Sequence, residues 1–394
     1  CSRHSGGRGG ARRQGVSEMS GTGPDREFHR GEARIRRAFR RSLVSIALGA
    51  LIAGGLLYWW RIPPEQVQIE DAEIAVPIIE DSKPAIGPPE VTFTDITRQA
   101  GIRFTHVNGA YGERLMPETI GSGAAFIDYD NDGDQDLFLV NSRYWEGHGK
   151  PGAPLPVQAL YRNDGSGRFD EVTQESGLDL SLYGMGVATG DYDNDGWTDL
   201  FIAAVGENRL LRNHGGRFVD VTGQAGVAGN PDAWSSSAAF VDFDKDGDLD
   251  LFVGNYVKWS QRIDLEIDFR LTGLGRAYGA PNHFVGTNSI LYSNQGEGRF
   301  KDVSAAAGIR VEDPVSGLPV GKALGVVAAD YDRDGWIDLF VANDTTRNFL
   351  FHNLENGKFE EVGAFEGIAF DRNGKATSGM GIDLAYFRND RDIG

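Results

Sequence analysis

One cysteine, Cys1, is all the thiol that this chain of 394 residues contains, so no intrachain disulfide can staple it. Catalytic signatures are missing as well. There is no G-x-S-x-G nucleophile elbow and no phosphate-cradling P-loop. The seven histidines are His4, His29, His106, His148, His214, His283 and His352. None is paired at metal-ligand spacing, which leaves no zinc site to assemble. Positive charge is scarce: 39 Lys and Arg stand against 57 Asp and Glu, a net −18. What there is lies at the front, where residues 1–60 hold 11 Arg, no Lys and 4 acids. The remainder has 28 basic and 53 acidic residues. An acidic body of that kind argues against nucleic acid as a partner.

Aspartate is abundant, and it is placed in a pattern. Four times the chain spells Asp-x-Asp-x-Asp-Gly-x-x-Asp followed by Leu-Phe. The copies are Asp128, Asp130, Asp132, Gly133, Asp136; Asp191, Asp193, Asp195, Gly196, Asp199; Asp242, Asp244, Asp246, Gly247, Asp250; and Asp330, Asp332, Asp334, Gly335, Asp338. Four carboxylates within nine residues repel one another unless a cation sits among them. Oxygen-only ligands select a hard ion, and calcium is the expected cofactor. The glycine supplies the sharp turn. The expected ligands are the four Asp side chains and one backbone carbonyl from the seventh residue, which is Asp134, Trp197, Asp248 or Trp336. The plain alternative is an Asp-rich hairpin turn without metal.

These are not helical calcium hands, which need glutamate at the twelfth place. That place holds Leu139, Ile202, Val253 and Val341. Apolar β-forming runs precede and follow each loop, so each loop joins two strands. A second phrase interleaves with the first: 160–178, 210–227, 291–309 and 350–368, with a half copy at 93–102. Each is a strand ending in Asn, a Gly turn, and a strand built on Phe-x-x-Val. One full unit thus has four short strands. First-Asp spacings of 63, 51 and 88 residues suit the blades of a β-propeller. Four blades and two half-blades close no typical ring, so the chain is expected to be part of a longer protein.

The front of the chain reads differently. Residues 1–41 are Arg-, Gly- and Ser-rich, an expected disordered cytoplasmic tail. Ser42 to Trp60 is an uncharged run of 19 residues behind an arginine block, long enough for a transmembrane signal anchor. A cleaved signal peptide is the rival reading. Residues 61–90 carry six prolines and read as a spacer. Residues 91–394 form the partial propeller. The expectation is a single-pass membrane protein with its N-terminus cytoplasmic and its propeller periplasmic or extracellular.

Two irregularities stand out. An insertion from Tyr256 to Gly286 carries Tyr256, Trp259, Arg262, Arg270, Arg276, Tyr278 and His283. Near the end, Gly379-Met380-Gly381-Ile382 echoes Gly184-Met185-Gly186-Val187. The ligand places that follow become Tyr386, Arg388 and Asp390, with Arg391 in place of glycine, so that loop is expected not to bind calcium.

The four Asp loops resemble those of FG-GAP/VCBS repeat proteins, whose blade is shared with integrin α-subunit heads. With Phe104-Thr105-His106-Val107-Asn108-Gly109 and Pro117-Glu118-Thr119-Ile120-Gly121-Ser122-Gly123, the resemblance extends to the cartilage acidic protein-like (ASPIC/UnbV) family. It covers about residues 91–394 and implies an all-β, integrin-α-like propeller. The expected function is a membrane-anchored, calcium-binding, non-enzymatic adhesion scaffold for a protein or glycan ligand. The alternative is a carbohydrate-active enzyme, a lyase or hydrolase, whose pocket is lined by the 256–286 insertion. Tyr256, Trp259, Arg276 and His283 converging with an acid in a pocket would favour the enzyme. Partner contact is expected chiefly from 256–286, through Trp259 and Tyr278, and secondarily from Arg143–Val157.

Overall fold

Every Asp-rich repeat folds into a four-stranded antiparallel sheet in a computed structural model that describes residues 48–55 and 92–385. The first sheet holds β1 (Ala124–Ile127), β2 (Asp136–Leu139), β3 (Ala159–Asn163) and β4 (Phe169–Glu171) in that order. The second holds β5 (Gly184–Gly190), β6 (Asp199–Ala204), β7 (Arg209–Asn213) and β8 (Phe218–Asp220). In the third, β9 (Ser235–Val241) and β10 (Asp250–Asn255) are followed by a small hairpin, β11 (Arg270–Leu271) and β12 (Gly275–Arg276). The sheet then resumes with β13 (Ile290–Asn294) and β14 (Phe300–Asp302). The fourth holds β15 (Ala323–Ala329), β16 (Asp338–Asn343), β17 (Phe349–Asn353) and β18 (Phe359–Glu361). This is the all-β, propeller-like architecture that the repeats imply.

The sheets pack face to face, which explains why the second strands are apolar on both sides. All six residues of β6 and of β10 are buried. A strand with a sheet on each face has no solvent side, so alternation gives way to a continuous apolar run. Three cores fill the spaces between successive sheets. Phe138 and Leu160 meet Ile202 and Phe218; Phe201 and Leu210 meet Leu251 and Phe300; Phe252 and Leu291 meet Val341 and Phe359. Phe218, Phe300 and Phe359 of the Phe-x-x-Val strands therefore pack back on the preceding blade, filling the inter-blade space as the sequence predicts. Each such ring contributes about 1.5–3 kcal/mol.

The first strands β5, β9 and β15 lie side by side, with β1 against β5. Their glycines permit the approach. A Cβ on Gly186 would fall 2.4 Å from the Ser236 carbonyl oxygen, and one on Gly123 3.2 Å from the Gly186 Cα. The same contact recurs later, where a Cβ on Gly325 would lie 3.1 Å from the Gly381 Cα. The Gly379 N–H donates to the Asn343 carbonyl as the Gly184 N–H donates to that of Asn141. The echo at Gly379-Met380-Gly381-Ile382 thus takes the place of a next first strand. The half copy at 93–102 also has a place: the Phe169 N–H donates to the Ala100 carbonyl, as the Phe218 N–H does to that of Ser176.

The transmembrane expectation is corrected. Among the described residues no helix is long and apolar enough to cross a membrane. The helix described within Ser42 to Trp60 covers 48–55. An apolar run gives hydropathy alone; a span also needs about 20 continuous helical residues. The single-pass localisation falls with the helix. The rest of 42–60 lies outside the described residues, as do the tail 1–41, the spacer 61–90 and the degenerate loop at 386–391.

Candidate metal centre

Each Asp loop connects the first and second strands of its blade, and all four adopt one backbone path. The fourth residue is left-handed in every copy: Asn131 at φ 56°, Asn194 at 56°, Lys245 at 59° and Arg333 at 66°. The glycine two places on lies at φ 85–93°. A side chain is strained there, which is why glycine recurs. The first Asp ties the turn. Asp128 Oδ1 and Oδ2 accept from the Asp132 and Gly133 N–H groups, both at 3.1 Å. Asp191 accepts from Asp195 at 3.0 Å and Gly196 at 2.9 Å. Asp242 accepts from Gly247 at 3.2 Å, and Asp330 from Gly335 at 2.9 Å. The fifth Asp caps the seventh residue: Asp132 from Asp134, Asp195 from Trp197, Asp246 from Asp248 and Asp334 from Trp336, at 2.7–3.0 Å.

The ninth Asp is fully buried in all four copies. It accepts two backbone bonds, one from the loop's second residue and one from the Asn closing the third strand. For Asp199 these come from Tyr192 at 3.2 Å and Asn213 at 2.7 Å. Asp136 is held by Tyr129 and Asn163, Asp250 by Phe243 and Asn294, and Asp338 by Tyr331 and Asn353. Burial dominates their electrostatics. It pushes the Asp136 carboxyl up to about 6 and those of Asp199 and Asp250 up to about 7, against the opposing pull of the backbone bonds. Asp338 is raised for the same reason. Burial, then neighbouring carboxylates, raise Asp130 and Asp244 also. Asp193 is raised by burial against the pull of Arg212. Such loops are unfavourable as bare anions, and a cation reverses the sign of that energy.

The donors fit one. Carboxylate oxygens of Asp128, Asp130 and Asp136 lie within 4.8 Å of one another. So do those of Asp191, Asp193 and Asp199, and of Asp330, Asp332 and Asp338. In the third loop the converging set is Asp242, Asp244 and Asp246. Oδ1 of Asp130, Asp193, Asp242, Asp244 and Asp330 is buried without a hydrogen-bond partner. An unpartnered buried carboxylate oxygen costs several kcal/mol unless something positive meets it. The all-oxygen donor set suits calcium. Of the expected ligands, the first, third and ninth Asp therefore come together in three loops. In the third loop the fifth takes the place of the ninth, and Asp334 forms a further set with Asp332 and His352.

The motif spacing did not reveal what stands on the third strand beside each loop. Arg212 reaches loop two, with Nε 2.6 Å from Asp193 Oδ2 and Nη2 2.8 Å from Asp195 Oδ2. His352 Nδ1 lies 3.1 Å from Asp338 Oδ1. Both occupy the residue before the closing Asn, a place shared by Arg162 and Ser293. That common place in the second phrase was the available signal.

The 256–286 insertion extends from the opposite end of the second strand, away from the Asp loops. Tyr256 and Trp259 are buried, at 1% and 4% exposure, in a core with Met116, Met185 and Trp234. The buried Asp264 carboxylate holds the insertion down. It accepts from the Trp259 indole at 2.8 Å, the Met116 N–H at 2.8 Å and the Arg276 guanidinium at 2.8 Å. His283 is exposed. Trp259 and Arg276 thus converge on one acid inside the core, and buried Trp259 is no contact surface. Tyr278 is exposed and donates to Glu118 Oε2 at 3.3 Å. His106 pairs with Ser122, and burial lowers its pKa, consistent with a structural hydrogen bond. Arg143, Tyr144, Trp145 and Leu155 of the loop 143–157, with Ser181, line an open cleft of about 400 Å³.

A sequence model of the FG-GAP-like repeat matches residues 128–202, 191–253 and 330–393. Cartilage acidic protein 1 of Homo sapiens is 26% identical over 276 residues, covering 67% of this chain and 36% of that protein. The Xenopus tropicalis protein of the same name is 25% identical over 314 residues, 74% of this chain and 42% of that one. The chain thus spans well under half the length of these relatives. A solved Agrocybe aegerita lectin that recognises terminal N-acetylglucosamine shares 14% identity over 60% of this chain and 64% of its own. The TM-score between the two is 0.26. The chain carries FG-GAP-like repeats and is similar to the cartilage acidic proteins, as its loops and phrases implied.

Proposed function

We propose that this protein is a non-enzymatic binding scaffold whose Asp loops hold calcium and whose opposite loops meet a protein or glycan partner. The observation that carries the calcium half is the set of buried, unpartnered Oδ1 atoms in all four loops. The ion would be held by the first, third and ninth Asp in the first, second and fourth loops, and by the first, third and fifth in the third. It would supply rigidity, because metal that binds only the folded state stabilises it by mass action. The partner half rests on the cleft beside Tyr144 and Trp145. Aromatic and arginine side chains give large contact energy at low entropy cost. Against the enzyme alternative stands the burial of Tyr256 and Trp259 in the core.

Calcium titration by calorimetry on the chelator-stripped protein tests the first half. Uptake of four ions per chain is expected from the four loops; fewer than three would overturn the reading. For the second half, a glycan array is screened with wild type and with Arg143→Ala/Tyr144→Ala. Retention that the double substitution abolishes supports the cleft. Turnover of a polysaccharide by the wild type would instead install the enzyme reading.

A further inference from the structure

Asn closes the third strand of every blade, and in three blades it holds two Asp loops at once. The Asn213 N–H donates to Asp199 Oδ1, the ninth place of its own loop, at 2.7 Å. Its side-chain Nδ2 donates to the Thr198 carbonyl of that loop at 3.1 Å and to the Tyr129 carbonyl of the preceding loop at 2.8 Å. Asn294 repeats the set on Asp250 at 2.8 Å, Leu249 at 3.0 Å and, in the preceding loop, Tyr192 at 2.9 Å. Asn353 repeats it on Asp338 at 2.8 Å, Ile337 at 3.2 Å and Phe243 at 2.8 Å. All three are buried. The carbonyl taken from the preceding loop belongs to its second residue, between the first and third Asp.

A second line of contacts runs over the solvent side. The left-handed fourth residue of each of the first three loops reaches the next loop. Asn131 Nδ2 donates to the Gly196 carbonyl at 2.9 Å. Asn194 Nδ2 donates to Asp248 Oδ1 at 2.8 Å. The Lys245 ammonium lies 4.2 Å above the Trp336 ring. Adjacent loops are thus joined twice, once in the core and once at the surface.

We infer that the Asp loops are coupled metal sites, with Asn213, Asn294 and Asn353 as the positioning residues and Asn131 and Asn194 as their exposed counterparts; this rests on the calcium reading above. A loop whose carboxylates repel without a cation loosens. Its second-residue and glycine carbonyls then move. The neighbour's Asn loses its acceptor, and that same Asn orients the neighbour's ninth Asp. A cation in one loop fixes these acceptors and so lowers the ordering cost of the next. Coupling of this kind is reciprocal, and occupancy of one loop raises its neighbour's affinity on the order of fivefold.

The test is calorimetric calcium titration of the stripped chain in wild type, Asn131→Gly/Asn194→Gly and Asn213→Ala. Glycine accepts the left-handed backbone without strain, so the double variant removes only the side-chain links. Asn213→Ala removes a buried link, and a melt in saturating calcium checks that it folds. The expected wild-type isotherm is cooperative, with a Hill coefficient above 1. In both variants the coefficient falls toward 1, the midpoint rises severalfold, and the ion count stays the same. Variants that melt lower but keep wild-type steepness would show a purely structural role and overturn the inference. A non-cooperative wild-type isotherm with full ion uptake would overturn it while leaving the calcium reading intact. No uptake at all would remove both.

Discussion

The two ends of the blades are built on opposite principles. At one end, four Asp loops of nine residues repeat one backbone path, one pattern of carboxylate caps and one buried ninth Asp. At the other, no two connections are alike. The second and third strands are joined by 205–208 in one blade and by a segment with its own helix, Gln261–Ile267, in another. Buried charge is handled differently too. Among the described residues Asp264 is neutralised by a guanidinium of this chain, Arg276. The Asp loops leave carboxylate oxygens without a partner. A protein-supplied cation gives permanent structure, whereas an open oxygen cage makes structure conditional on what the solution supplies.

Chelation should break that comparison most severely. For one site at hundredfold excess over its dissociation constant, calcium contributes roughly 3 kcal/mol. Chelator is therefore expected to lower the melting temperature and to speed amide exchange at the Asp loops first. The Asp264-centred bonds should keep their protection. Equal loss at both ends would mean that the ends are not independent.

Asp264→Ala is expected to do the reverse. It strands the Arg276 guanidinium and the Trp259 indole, at a cost of about 3–5 kcal/mol, the usual penalty for breaking a buried pair. Calcium stoichiometry should be unchanged. Loss of ions in this variant, measured in saturating calcium on folded protein, would contradict the separation.

The pH dependence sharpens the contrast. Folding raises Asp136 to about 6 and Asp199 and Asp250 to about 7, from 3.8. The folded state therefore binds more protons than the unfolded state between these values. In metal-free protein, stability is fully present below pH 4 for these groups and falls as pH rises to about 7. Glu118, at the other end, is raised by burial and adds a slope of the same sign. Only the loop part should flatten when calcium is present. Paired melts with and without calcium across pH 4–8 check this, and identical slopes would defeat it.

Tyr144→Ala should have the smallest effect on folding. Its ring is half-buried beside an open cleft, and its loss is expected within about 0.5 kcal/mol, as for surface changes generally. A larger drop in the melting temperature would show that the cleft is structural.

Much of the repeat was legible because its information is local. Nine residues specify a loop, and Leu-Phe after it specifies the strand. The ninth Asp was read as a ligand alone; its second task, accepting backbone bonds from Asn213 or Tyr192, depends on the third strand and the loop's own curvature. Trp259 was misread as a contact residue. Its environment comes from Asp264, Trp234 and Trp145, and no local pattern distinguishes a covered indole from an exposed one. The anchor expectation is corrected on the described residues: hydropathy over 42–60 gives composition, and no described helix is long and apolar enough to cross a membrane.

Isothermal titration of calcium into the stripped chain, beside the same titration of Asp193→Ala, tests the central claim most directly. Asp193 presents the buried unpartnered oxygen of loop two. Four ions in wild type and three in the variant, one lost from the four loops, is the expected result. An equal count in both proteins, or no uptake in either, would contradict it.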